Sequence, residues 1–268
     1  MTVVNDRWAV GAAYEAYMGR WSRALGKVFV DWLAVEARAH WLDVGCGTGA
    51  LTEAICELGR PASVVACDPS GPFIETASST LPDKRVSFEL ASGDYLPRRE
   101  GGFDVVVSGL VLNFVPDLAR TLGAMQRRLG ARGLVAAYVW DYASGVQFLR
   151  GFWDAAVELD PGAAELDEGR RFAAFGPEAL GAHFGAAGLT EVAIEPLALP
   201  TVFGSFEDYW EPFLGRTGPA PSYVASLSAE RRDRLRDALR ERLTPDAHGR
   251  IALEARAWAV RGVGSGDD

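Results

Sequence analysis

The chain has 268 residues, 49% of them hydrophobic, and its 27 lysines and arginines against 36 aspartates and glutamates give a formal net charge of -9. Such a composition predicts a packed core rather than disorder, and the length suits one α/β domain with an added layer. The acidic balance argues against broad attraction to phosphate backbones, so nucleic acid is not an expected partner, although a local basic patch stays open.

Cys46, Cys56 and Cys67 are the only cysteines, sit in or beside apolar segments and lack the spacing of a zinc site or a disulfide framework, which points to a reducing cytosol. No apolar run approaches the length of a membrane span. A soluble cytoplasmic protein without a metal is expected.

In chain order, Tyr14, Tyr17, Met18, Trp21, Leu25, Val28, Phe29 and Leu33 recur at helical spacing and predict one or two amphipathic helices. On the residues alone, Trp21 packs on the sheet while the arginines around it are solvated. Trp41, Leu42 and Val44 then make a short strand, followed at once by Gly45, Gly47 and Gly49 and by a helix marked by Leu51, Ala54, Ile55 and Leu58. Strand, tight loop and helix read as a cofactor cradle, because glycines tolerate positive φ and let a ligand lie against bare backbone. A dinucleotide loop reads Gly-x-Gly-x-x-Gly and faces a pyrophosphate. Here the spacing is Gly-x-Gly-x-Gly behind Asp43, which would repel a pyrophosphate and accept a hydrogen bond from a cationic ligand.

Gly59-Arg60-Pro61 stops that helix, and Ala62 to Cys67 reads as a second buried strand ending at Asp68. Asp68 stands where nucleotide-binding α/β folds place the carboxylate for ribose hydroxyls, about 20 residues past the glycines; a plain helix cap is the alternative. Val86 to Leu90 is a third strand, with Gly93-Asp94-Tyr95 beyond it, and Phe103 to Val107 a fourth, opening into Ser108-Gly109-Leu110-Val111-Leu112-Asn113-Phe114. Pro116 and Asp117 open a helix that Gly130 closes. Gly133 to Trp140 is the fifth strand. Trp140, Asp141 and Tyr142 end it, either facing a ligand, since open α/β sheets bind beyond the carboxyl ends of their strands, or forming a solvated rim.

Phe148 to Leu159 reads as a helix, residues 160–169 as a polar loop, Gly176 to Gly188 as another helix, Leu189 to Leu197 as the sixth strand and Ile251 to Val260 as the last. Between these two strands, Phe203, Phe206, Tyr209, Trp210, Phe213 and Tyr223 alternate with glycines and prolines, as in a lid that excludes water or a dimer contact. Ser228 to Leu243 reads as a charged helix with a solvated outer face. The tail from Gly264 is expected to fray.

Asp43-Val-Gly45-Cys46-Gly47-Thr-Gly49 resembles the first motif of class I S-adenosylmethionine (SAM) dependent methyltransferases, and Asp68-Pro69-Ser70 resembles the second. Asp94-Tyr95 and Phe103-Asp-Val-Val are similar to the adenine-binding and fourth motifs, in register over about Trp41 to Trp140. Tyr17-x-x-x-Trp21 resembles the N-terminal cover of UbiE-like members. The resemblance implies an α/β, Rossmann-like, seven-stranded and mostly parallel sheet of order 3-2-1-4-5-7-6, with the last strand antiparallel and helices on both faces. It implies a single domain over residues 1–268, with a helical cover at 1–38 and an insertion at 200–248.

By the same resemblance SAM is the cofactor. Tyr17 and Arg20 would take its carboxylate, Asp43 with Gly45, Cys46, Gly47 and Gly49 its methionyl part, Asp68 and Pro69 its ribose, and Asp94 and Tyr95 its adenine, while Ser108 and Gly109 run beneath the sulfonium. Family members often carry a histidine near Leu112-Asn113-Phe114. This chain has none there, and His40, His183 and His248 fall elsewhere, so Asp141 or Tyr142 is the expected base where an acceptor must lose a proton. The expected reaction is methyl transfer to a small molecule by a monomer or homodimer. A SAM binder without turnover and an NAD-dependent oxidoreductase are the alternatives, the second disfavoured by Asp43 and the glycine spacing.

Overall fold

The computed structural model describes residues 15–93 and 95–265, which fall into two compact units. Residues 22–139, 175–197 and 258–265 make a sheet unit, and residues 15–21, 140–174 and 198–257 an aromatic unit. The unit that holds the insertion expected at 200–248 thus also takes in 140–174.

Seven strands, β1 (His40–Val44), β2 (Ser63–Asp68), β3 (Val86–Leu90), β4 (Phe103–Gly109), β5 (Leu129–Trp140), β6 (Leu189–Phe203) and β7 (Ile251–Gly264), form one sheet in the order β3-β2-β1-β4-β5-β7-β6, as expected. β1 pairs in parallel with β2 and β4, β2 with β3, and β4 with β5. β7 is antiparallel to both of its neighbours: Thr190 at the start of β6 donates from Oγ1 to the carbonyl of Val263 at the end of β7 (3.3 Å), and Gly264 at that same end lies beside Leu129 at the start of β5. β6 continues through Pro200 to Phe203 rather than stopping at Leu197, because an edge strand tolerates a missing N–H. Gly130 lies inside β5 and does not close the preceding helix, and Gly264 belongs to β7 rather than to a frayed tail.

Helices connect the strands. A π-helical turn (Glu15–Gly19) leads into α1 (Arg20–Leu33), and α2 (Ala50–Ala54) runs into a second π turn that stops at Arg60, whose φ is 43°. α3 (Gly71–Thr80), α4 (Leu118–Gln126), α5 (Gln147–Leu159), α6 (Glu168–Arg171) and α7 (Pro177–Ala186) follow, then α8 (Phe206–Trp210), α9 (Pro219–Ser226) and α10 (Ala229–Arg242). Asp117 caps α4 by accepting from the Arg120 N–H.

Leu42, Val44, Val106, Val135 and Ala137 from the central strands pack with Leu122, Met125 and Phe184 in the core of the sheet unit. Parallel strands buried on both faces need such continuous apolar runs, and each large side chain contributes about 1.5–3 kcal/mol on burial. The second core is aromatic. Phe152 stacks on Phe213 (4.5 Å, 8°), Phe203 meets Tyr209 edge-on, and the Tyr209 hydroxyl donates to the Phe148 carbonyl (2.9 Å). The insertion's aromatics are therefore interior, and Leu235 and Leu239 bury the inner face of α10 while its charged face is solvated.

Candidate active site

At the carboxyl end of β1 the chain turns through Gly45, Gly47 and Gly49, with φ of 77°, 54° and 90°. The N–H groups of Gly45 and Cys46 both donate to the Cys67 carbonyl (2.8 and 3.0 Å), which clamps the loop to β2. A Cβ at Gly45 would strike the Val111 methyls at 2.8 Å, whereas one at Gly47 would meet nothing within 4 Å. Gly45 is needed for packing; Gly47 presents bare backbone to open space.

Both oxygens of Asp68 are in use, Oδ2 accepting from Gly47 N–H (3.0 Å) and Oδ1 from Ser70 N–H (2.9 Å). The carboxylate thus ties the loop to the turn that opens α3, and its remaining lone pairs can still accept. Burial raises its pKa and these two hydrogen bonds oppose the rise. Asp43 is wholly buried; its Oδ2 accepts from the Thr52 hydroxyl (2.7 Å), and its Oδ1 has no partner. Burial pushes the pKa up to about 7 against the Thr52 hydrogen bond, with a further push from the Asp68 charge. A buried acceptor without a partner costs about 1–3 kcal/mol and calls for a donor.

The other expected cofactor residues divide. Asp94 lies outside the described residues, Tyr95 is 80% exposed, and Pro69 is exposed. Cys46 is buried and contributes its N–H rather than its thiol. Ser108 Oγ donates to the Val44 carbonyl (2.9 Å), pinning β4 to β1, and Gly109 leaves room for Tyr138, whose hydroxyl a Cβ would meet at 2.6 Å. Asn113, in the turn where a family histidine was sought, is 7% exposed with neither side-chain polar atom partnered. Sequence reading passed it over, and its one signal was a polar residue between Leu112 and Phe114.

In the aromatic unit Tyr17 is buried with an unpartnered hydroxyl, its pKa raised first by burial and then by the charge of Glu168. Arg20 is not simply solvated. It pairs with Asp208 (2.9 Å), stacks over Trp21 and Phe203 (4.3 and 4.7 Å), and keeps its Nε and Nη2 without partners, the edge that suits a carboxylate fork. Trp21 packs edge-on against Phe203 at the end of β6.

Asp141 has a different task from the one expected. It accepts from Arg256 Nη2 and Nε (2.5 and 3.0 Å) and from Ser144 N–H and Oγ, which hold its pKa below the usual range despite burial. A carboxylate so occupied is a poor base and a good anchor. Tyr142 is buried with its ring against Phe172 (5.4 Å). The group with base-like character is Glu168, in a stretch that reads as polar loop. It is 3% exposed, accepts from the Trp153 indole, and is pushed up to about 7 by burial; the Asp167 charge adds to this, while the hydrogen bonds and Arg171 oppose it. Arg150 is engaged on both oxygens of the neighbouring Asp167. Among the described residues no cluster of three or more His, Cys, Asp or Glu side chains could hold a metal.

Residues 42–137 match a family described as methyltransferase domain. Residues 42–137 thus carry a methyltransferase domain. A demethylmenaquinone methyltransferase of Lactiplantibacillus plantarum is 34% identical over 105 residues, 37% of this chain and 44% of that protein. A ribosomal protein L11 methyltransferase of Neisseria meningitidis is 29% identical over 170 residues, 63% of this chain and 53% of that one. The chain therefore spans about half the length of the curated relatives it matches. YcgJ of Bacillus subtilis shares the fold, with a TM-score of 0.57 at 17% identity over 92% of this chain and 100% of that chain. The unpartnered Asp43 oxygen beside open glycine backbone fits a cationic ligand, as SAM is.

Proposed function

We propose that this protein methylates a small-molecule acceptor. The observation that carries the reading is the Asp43 Oδ1, a buried acceptor with no partner behind a loop whose middle glycine faces open space. In this reading Asp43 and the Gly45–Gly49 backbone hold the methionyl part of the cofactor, Asp68 with Pro69 the ribose, Asp94 and Tyr95 the adenine, and Tyr17 and Arg20 the carboxylate. When bound, SAM supplies a methyl group made electrophilic by its sulfonium. The protein's share is to orient and dehydrate the nucleophile.

The aromatic unit supports a small, partly apolar acceptor, because its interior combines stacked rings with an unpartnered Tyr17 hydroxyl and the Glu168 carboxylate. An acceptor O–H or N–H would give its proton to Glu168 rather than to Asp141, whose oxygens are occupied. A general base works best with a pKa near the operating pH, which suits Glu168 better than Asp141. Three free, buried thiols suit a reducing, cytoplasmic setting. Among the described residues no helix is long and apolar enough to cross a membrane.

Calorimetry with SAM and with NAD, followed by assay of S-adenosylhomocysteine formation, tests the reading. Heat with SAM but not NAD, and turnover with small phenols or amines rather than with ribosomal protein or RNA, is the expected result. Binding without any turnover would make the chain a SAM binder, and turnover only on the macromolecules would overturn the small-molecule acceptor.

A further inference from the structure

The sheet unit carries a second concave feature, at the end of its strands opposite the glycine loop. Arg98, Arg99, Arg127 and Arg128 line a depression of about 720 Å³ beside the start of β5 and the end of β7. None of its lining residues is acidic, and among the described residues none of the four guanidiniums has an ion-pair partner. In a chain of net charge -9 this is a local inversion of charge.

The cluster is built rather than loose. Arg99 Nη1 donates to the carbonyls of Glu100 and Gly102 (3.0 and 2.8 Å), and Arg128 Nε donates to the Leu96 carbonyl (3.0 Å), so backbone positions two of the heads. A Cβ at Gly102 would lie 2.3 Å from Gly130 N, and one at Gly130 would lie 2.5 Å from the Gly101 carbonyl oxygen. These glycines let the two segments that carry the arginine pairs approach each other. Packing like charges together opposes folding, and the Arg128 pKa is lowered first by burial and then by the charges of Arg98 and Arg127. A multivalent anion would relieve that repulsion, and guanidinium forks match phosphate oxygens.

Shape selects among anions. The arginines converge on one depression whose volume lies in the range of small-ligand sites, about 300–1,000 Å³, whereas an extended polyanion would be served by a stripe of charge. We propose that this depression binds a compact multivalent oxyanion of the phosphate class, such as the oligophosphate chain of a nucleotide. The proposal does not depend on the methyl-transfer reading.

Titration calorimetry of the full chain with inorganic tripolyphosphate tests it, with Arg98→Ala/Arg127→Ala as the variant, Arg231→Ala/Arg234→Ala on α10 as the control, and thermal melts to confirm that both are folded. Arg98 and Arg127 are exposed, so their removal should leave the fold intact. The expected result is binding by the wild type and the control that weakens as salt rises, and that falls by about tenfold or more in the variant. Saturating SAM should leave it unchanged, and ATP should bind like tripolyphosphate. No heat at low salt, or equal affinity in the folded variant, overturns the proposal. So does a single-stranded oligonucleotide that binds more tightly than tripolyphosphate and is lost in the same variant, which would assign the cluster to a nucleic-acid backbone.

Discussion

Asp43 and Asp141 are both buried carboxylates, and their surroundings drive them in opposite directions. Asp43 has one hydroxyl partner and no cation, so its folded pKa of about 7 lies above the unfolded value of about 3.9. The folded state then holds the extra proton, and stability of the cofactor-free protein declines as pH rises from about 4 to about 7 and stays level above. Asp43→Asn removes this decline. Its cofactor-free melting temperature at pH 8 should exceed that of the wild type, by a free energy of at most about 4 kcal/mol, while calorimetry shows weaker SAM binding that no longer strengthens between pH 6 and pH 8. A variant with unchanged SAM affinity would remove Asp43 from the site. Asp141 is the reverse case. Its folded pKa is depressed, so its contribution is present above about pH 4 and lost as pH falls through the folded value. Arg256 is one-third exposed, which screens the pair, so Asp141→Asn should cost about 1–2 kcal/mol in denaturant titrations. It should leave the pH profile of turnover in place, whereas Glu168→Gln should erase a limb near pH 7.

The glycine loop shows how one element divides its work between folding and binding. Alanine at Gly45 meets both a left-handed φ and the Val111 methyls, whereas alanine at Gly47 meets only the φ. Gly45→Ala should therefore lose about 2–4 kcal/mol of stability and Gly47→Ala about 1–2 kcal/mol, measured by urea unfolding. SAM affinity should fall in Gly47→Ala by more than its stability loss accounts for, because its new methyl group enters the space left for a ligand. Local elements of this kind were legible in the sequence: β3 matches its reading residue for residue, and the glycines, Asp43 and Asp68 follow from spacing within one strand-loop-helix unit. The misreadings arose where the deciding partner is remote. Asp141 takes its role from Arg256 on β7, and residues 160–169 read as polar loop because the Trp153 indole that donates to Glu168, and the Arg150 that engages Asp167, lie on α5. α6 is also too short to show a helical period. The aromatic residues of the insertion advertised burial, but nothing local told an interior from a cover.

At the scale of the molecule, the family match over residues 42–137 falls within the sheet unit, and the residues of the aromatic unit lie outside it. The three thiols, Cys46, Cys56 and Cys67, also all belong to the sheet unit, and they offer a report on that unit alone. Burial raises every one of their pKa values, Cys56 to about 11 and Cys67 to about 12, so almost no thiolate exists at neutral pH and a thiol reagent can act only through opening. A ligand held by the closed form alone lowers the open fraction by a factor of one plus its concentration over Kd. SAM at a hundred times its Kd should therefore slow labelling of Cys46 by about 100-fold, equivalent to about 2.7 kcal/mol, as read by mass spectrometry of the labelled peptides. Cys56 should show equal slowing where the unit opens as a whole, and less where the glycine loop opens by itself. Labelling of Cys46 that stays unchanged under saturating SAM would mean that the loop and its carboxylates are not where the cofactor rests, however well the motif reads.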